Sequence, residues 1–119
     1  MHEAGRAGRV DVYVVDIEGN RYDVEIQAEP NDNEVLRARH YQLLMDVAQL
    51  RKGASVEELR KSVVLFICDF DPLGAGLRRW DCKTFCLQTR DVVPDGRRIV
   101  FLNARGDGDD VTAELEAFF

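Results

Sequence analysis

Tyr22-Asp23-Val24-Glu25-Ile26-Gln27, YDVEIQ, alternates without a break between apolar and polar side chains. A period of two describes a strand, with Tyr22, Val24 and Ile26 on one face and Asp23, Glu25 and Gln27 on the other. The apolar face is the one expected against a core. The other face is unusual, because two carboxylates and an amide stand where a solvated strand more often carries Thr, Lys or Arg. What lies beside this strand therefore decides how it is read.

On its N-terminal side, residues 9–16 (RVDVYVVD) are rich in β-branched side chains, and Glu18-Gly19-Asn20 is a turn signal, so the two segments read as a hairpin. In it Asp11 shares a face with Arg9, Tyr13 and Val15. Loop length sets its partner. A three-residue loop over 18–20 places Asp11 opposite Gln27, a five-residue loop places it opposite Glu25, and a two-residue loop turns it to the wrong face.

After Pro30 the period changes. NDNEVLRARHYQLLMDVAQLRKG carries Leu36, His40, Leu43, Leu44, Val47 and Leu50 at helical spacing, with Asn31 or Asp32 as cap and Gly53 at the end, a helix of about five turns. Ser55-Val56-Glu57-Glu58 fits a capping box for a short helix over 56–61. The apolar run of residues 63–68 suggests a strand buried on both faces. A loop over 70–76 follows, then strands over 79–89 and 97–103 around Pro94-Asp95-Gly96, and a final helix in DDVTAELEAFF. The order predicts the α/β class, a mixed central β-sheet flanked by helices, in one domain spanning residues 1–119.

The 119 residues are 45% apolar and 32% charged, and no apolar run approaches the ~18 residues of a membrane span. No secretory leader is visible in MHEAGRAGRV, so a cytoplasmic protein with no membrane partner is expected, its three cysteines reduced. A formal charge of −6 argues against broad binding to phosphates. A local basic path remains, since arginines cluster at Arg37/Arg39, Arg78/Arg79 and Arg97/Arg98.

Two carboxylates on one face of neighbouring strands repel each other and need compensation. A hard divalent cation, Mg²⁺ or Mn²⁺, supplies it, since such ions are held by one or two carboxylates with the remaining positions left to water and phosphate. Asp11, a turn and Glu25-x-Gln27 on the next strand resemble the PD-(D/E)xK nuclease superfamily, with Gln27 where Lys is usual. RVDVYVVDIEGNRYDVEIQ, RARHYQLLMDVAQLRKG, VVLFICDFDPLGAGL and IVFLNARG, in that order, resemble its transposase-like branch of recombination-promoting nucleases.

The resemblance implies a restriction-endonuclease-like core and Mg²⁺-dependent cleavage of DNA in recombination or mobile-element biology. It implies that Asp11 and Glu25 bind the metal, that the Ile26 carbonyl adds a ligand, and that Gln27 helps place the attacking water or the scissile phosphate. It also implies that Tyr41 and Gln42, the family's Y-Q pair, line the site with Arg39 on the substrate. The family usually carries further helical sequence on both sides, so the chain reads as a fragment or shortened form. The competing expectation is a catalytically weak remnant that binds protein or nucleic acid without cutting.

Plainer readings apply elsewhere. His40 falls in the helix's apolar stripe and is expected at the core or its boundary. Cys82 and Cys86 share a strand face at four-residue spacing but lack the second pair of a zinc site, so they read as core or boundary thiols. Asp69-Phe70-Asp71-Pro72 reads as a turn, and Arg78, Arg79, Arg97 and Arg98 as a solvated face. Leu115, Phe118 and Phe119 would leave apolar surface on the last helix, which a homodimer would cover.

Overall fold

The structure, a computed structural model, describes residues 11–30 and 33–105. Its centre is a five-stranded mixed sheet. In chain order the strands are β1 (Asp11–Val15), β2 (Arg21–Gln27), β3 (Ser62–Cys68), β4 (Arg79–Lys83) and, after a short side hairpin of β5 (Phe85–Cys86) and β6 (Asp91–Val92), β7 (Arg97–Asn103). Their spatial order is β1-β2-β3-β7-β4. β2, β3 and β7 run parallel in the middle, and β1 and β4 flank them antiparallel. The chain is thus of the mixed α/β class. Helix α1 (Glu34–Gln49) makes the crossover between parallel neighbours β2 and β3, the connection a parallel pair requires.

The loop between β1 and β2 has five residues, because Val15 pairs with Arg21 and Asp11 with Glu25. Asp16 holds it. Its Oδ1 accepts from the backbone N–H of Glu18 and Asn20 at 3.0 and 2.9 Å, and its Oδ2 accepts from the Asn20 amide and the Tyr22 hydroxyl at 3.1 and 3.2 Å. Gly19 takes the left-handed conformation the bend needs, with φ of 88°. Asn20 then ties the loop to the start of β3, its Oδ1 accepting from Lys61 N at 3.1 Å.

Several local expectations change. The α1 helix has 16 residues, about four and a half turns, and starts from Asn33, which makes no side-chain cap bond. Residues 31 and 32, the expected caps, lie outside the described residues. The helix expected over 56–61 is only a 3-10 turn, Val56–Glu58, although its Ser55/Glu58 capping box forms. The strand expected over 79–89 breaks after Lys83, and residues 85–92 leave the sheet as their own hairpin. β3 is buried on both faces, as its apolar run predicts. The expected final helix, with Leu115, Phe118 and Phe119, lies outside the described residues.

The largest correction concerns which faces are covered. The stripe of Leu36, His40, Leu43, Val47 and Leu50 is exposed, Leu43 by 57%, and Leu44 is half-buried. The helix instead buries Ala38, Tyr41 and Met45 against Val64, Phe66, Cys68 and Phe101, and Gln42 against Ser62. Periodicity finds an apolar stripe, but the sheet selects another face, one rich in an aromatic, a small residue and an amide. On the far side of the sheet Leu65, Val100 and Leu102 form a second cluster, joined by Val24 and Ile67. Among the described residues no helix is long and apolar enough to cross a membrane.

Candidate functional site

Sheet register carries the polar face of β2 to the helix side. Asp23, Glu25 and Gln27 stand level with Val64, Phe66 and Cys68 of β3, the residues on which α1 lies. All three polar residues are buried, Glu25 with only 1% of its surface exposed, whereas Ile26 on the opposite face is 42% exposed. The expected inside and outside of β2 are therefore largely exchanged, with only Val24 meeting an apolar cluster on the other face. A carboxylate buried this deeply is costly unless hydrogen bonds or cationic charge compensate it.

Opposite Glu25 in the ladder stands position 11, the outcome of the five-residue loop. Residues directly opposite in an antiparallel pair share a face of the sheet. The side chain of Asp11 lies outside what is described. Asp11, Glu25 and Ile26 are oxygen donors, the type a hard divalent ion takes. Among the described residues no group of three or more His, Cys, Asp or Glu is arranged to hold a metal.

Gln27 ends β2, and its amide is fixed at both ends. Its Oε1 accepts from Arg37 Nη1 at 2.7 Å, and its Nε2 donates to the Ile26 carbonyl at 3.2 Å. Arg37 can only donate, so the amide orientation follows from the bond. A second bond runs from Arg37 Nη2 to the Tyr41 hydroxyl at 3.2 Å. The guanidinium carbon lies 5.9 Å from the Tyr41 ring centre and 5.8 Å from that of Phe66, within cation–π range. Arg37 was not singled out as a site residue from the sequence. Its signal is the Arg37-x₃-Tyr41 spacing, which puts both on one helix face.

This group lies at the carboxyl end of the parallel strands, where Gln27, Cys68 and Asn103 are level. Crevices outside the carboxyl ends of strands are where open α/β sheets commonly bind ligands. Glu34 starts α1 there and is buried. Burial first, then the nearby charge of Glu34, pushes the Cys68 thiol up to about 12. Cys68 therefore stays a protonated thiol and is no nucleophile.

The other residues implied to contact substrate lie elsewhere. Gln42 is buried near the opposite end of β3, its Nε2 donating to Ser62 O at 2.7 Å, to Ser62 Oγ at 3.3 Å and to Arg98 O at 3.4 Å. Arg39 is exposed and lines a groove of about 620 Å³ with Leu43, Asp46, Thr84 and Arg97. Only Tyr41 of the three joins Gln27. Asp71 accepts from Gly74 N and Gly76 N at 2.8 and 2.7 Å, a loop brace, and Asp69 pairs with Arg105 at 2.9 Å. Arg79 and Arg98 pair with Asp81, and Arg97 pairs with Asp95. Cys82 is exposed and Cys86 half-buried, on different strands and outside the core clusters, and His40 is exposed. Set against known proteins, the chain matches no family model, no curated protein and no solved structure.

Proposed function

We propose that the chain is a metal-dependent DNA endonuclease of the PD-(D/E)xK type, with a restriction-endonuclease-like core and its site at the carboxyl end of β2. One observation carries this reading: Asp11 stands opposite Glu25 in the ladder, and Glu25 is buried on the helix side of the sheet two residues before Gln27. The antiparallel β1–β2 pair followed by the β2–α1–β3 crossover supports the core assignment.

The donor set fits Mg²⁺ or Mn²⁺. Asp11 and Glu25 would hold the ion, with the Ile26 carbonyl, which also accepts from the Gln27 amide, as the further oxygen ligand. When bound, the ion supplies positive charge to the phosphate and lowers the pKa of a coordinated water. The chain's own contribution is positional. Burial of Glu25 fixes its carboxylate, and the second N–H of the Gln27 amide is left to orient water or a phosphate oxygen. Gln27 carries no charge, so it orients without neutralising an anion.

Nicking of supercoiled plasmid in Mg²⁺ or Mn²⁺ tests the reading. The wild-type chain cuts, and Glu25→Gln and Asp11→Asn reduce cutting to background while unfolding at a similar urea concentration. Cutting at the wild-type rate in the double variant would refute it. A second reading, a remnant that binds nucleic acid without cutting, draws on the Arg37–Gln27 bond, which sets a cation beside the polar face of β2. Duplex binding without nicking would favour it.

A further inference from the structure

Arg37 is a cation whose two hydrogen bonds leave its charge intact. Both go to neutral oxygens, Gln27 Oε1 at 2.7 Å and Tyr41 Oη at 3.2 Å, so neither cancels the positive charge. The side chain is half-buried at the carboxyl end of β2, with the Tyr41 and Phe66 rings within 6 Å of its guanidinium. Fixing an arginine this way costs side-chain entropy, which an ordinary surface arginine avoids by staying mobile. The return is a planar fork held ready, since two of five N–H donors are spent on position and the rest can meet an oxyanion. Position in the helix adds to this. Arg37 lies in the first turn of α1, its N–H bonded to Asn33 O at 2.8 Å, where the helix field favours negative charge.

We propose that Arg37 is the phosphate-binding residue of this site: it receives one backbone phosphate of duplex DNA, while Gln27 and Tyr41 act as positioning residues that hold its guanidinium. The choice of DNA as the polyanion rests on the function proposed above; the phosphate contact does not depend on hydrolysis. Gln27 thereby has a role that its missing charge would otherwise deny it. The positive charge comes from the helix, and the strand amide aims it.

The test is duplex binding without turnover. A fluorescent duplex of mixed sequence is titrated with the full chain in Ca²⁺, an oxygen-seeking ion, over a range of salt concentrations, for wild type, Arg37→Gln, Arg37→Lys and Tyr41→Phe. Each phosphate contact contributes about 0.9 to the slope of log affinity against log salt on B-form DNA. Arg37→Gln should lower that slope by about 0.9 and weaken binding to all sequences alike. Arg37→Lys should keep the slope and lose part of the affinity, because a point charge replaces a fork. Tyr41→Phe should keep the slope and weaken binding several-fold, the mark of lost positioning rather than lost charge.

An unchanged slope in a folded Arg37→Gln overturns the proposal, and nicking that still depends on Glu25 would then leave the hydrolysis reading standing. Should Arg37→Gln fail to fold, wild-type affinity in both Arg37→Lys and Tyr41→Phe overturns it equally. Wild-type protein that binds with an Arg37-dependent slope yet never nicks supports the phosphate contact and removes the nuclease. Wild-type protein that does not bind duplex at all overturns both.

Discussion

Replacing Gln42 with Leu separates a structural tie from a substrate contact. Gln42 is buried, and its amide nitrogen donates at 2.7 Å to the carbonyl of Ser62, itself almost fully buried, with longer contacts to Ser62 Oγ and Arg98 O. One side chain of α1 therefore holds the first residues of β3 and β7 together. Losing the short bond costs about 1 kcal/mol net, and buried acceptors left without it raise the total to roughly 1–3 kcal/mol. A buried Leu recovers part of this through its apolar surface, so a net loss of about 1–2 kcal/mol is expected. Gln42→Glu should cost more, because it turns a carboxylate toward carbonyl oxygens. Urea unfolding followed by far-ultraviolet circular dichroism measures both, and a fall in melting temperature of roughly 3–6 °C per kcal/mol should accompany them in a domain of this size. The tie would be refuted by a Gln42→Leu chain of wild-type stability. If DNA affinity fell at the same time, the residue would belong with the substrate instead.

Stability should also depend on Asp81 at low pH. The hydrogen bond from Arg98 foremost, aided by the charges of Arg98 and Arg79 and opposed by partial burial, holds the Asp81 carboxyl below its ordinary value of 3.8. Its contribution is therefore present above that value and lost as pH falls through the lower folded one. Asp81 is partly exposed, so the gap between wild type and Asp81→Asn should be only about 0.5–1 kcal/mol, flat above about pH 5 and closing below about pH 4. A gap that widens on acidification would contradict it. Leu43→Lys, on the exposed stripe of α1, should change the free energy of unfolding measured in urea by no more than about 0.5 kcal/mol. A loss above about 2 kcal/mol would mean that the stripe is covered in solution.

Much of the framework follows from local pattern. Alternation in YDVEIQ, the apolar run ending at Cys68 and the change of period after Pro30 identify β2, β3 and α1, because strand and helix periods are properties of the chain itself. The α/β class follows from their order. Of the site, Glu25 and Gln27 on one face of β2 were equally legible. Their covering was not.

Four things needed the tertiary structure. Loop length between β1 and β2 was open at three or five residues until Asp16 and Asn20 closed it, through bonds that reach forward to Tyr22 and across to Lys61. The break of the 79–89 segment was invisible because its composition stays compatible with a strand after Lys83, where the chain turns off into the β5–β6 hairpin. The buried face of α1 was misread because Leu36, Leu43 and Val47 outrank Ala38, Tyr41 and Gln42 on any scale of apolarity. The surface that α1 meets, Phe66 and Phe101 with the polar row of β2 alongside, instead suits a small residue, an aromatic ring and an amide. Arg37 followed from the same cause. Its meeting with Gln27, ten positions back, exists only once α1 lies on the sheet, since a guanidinium gains its partners and its fixed aim from packing and not from spacing along the chain.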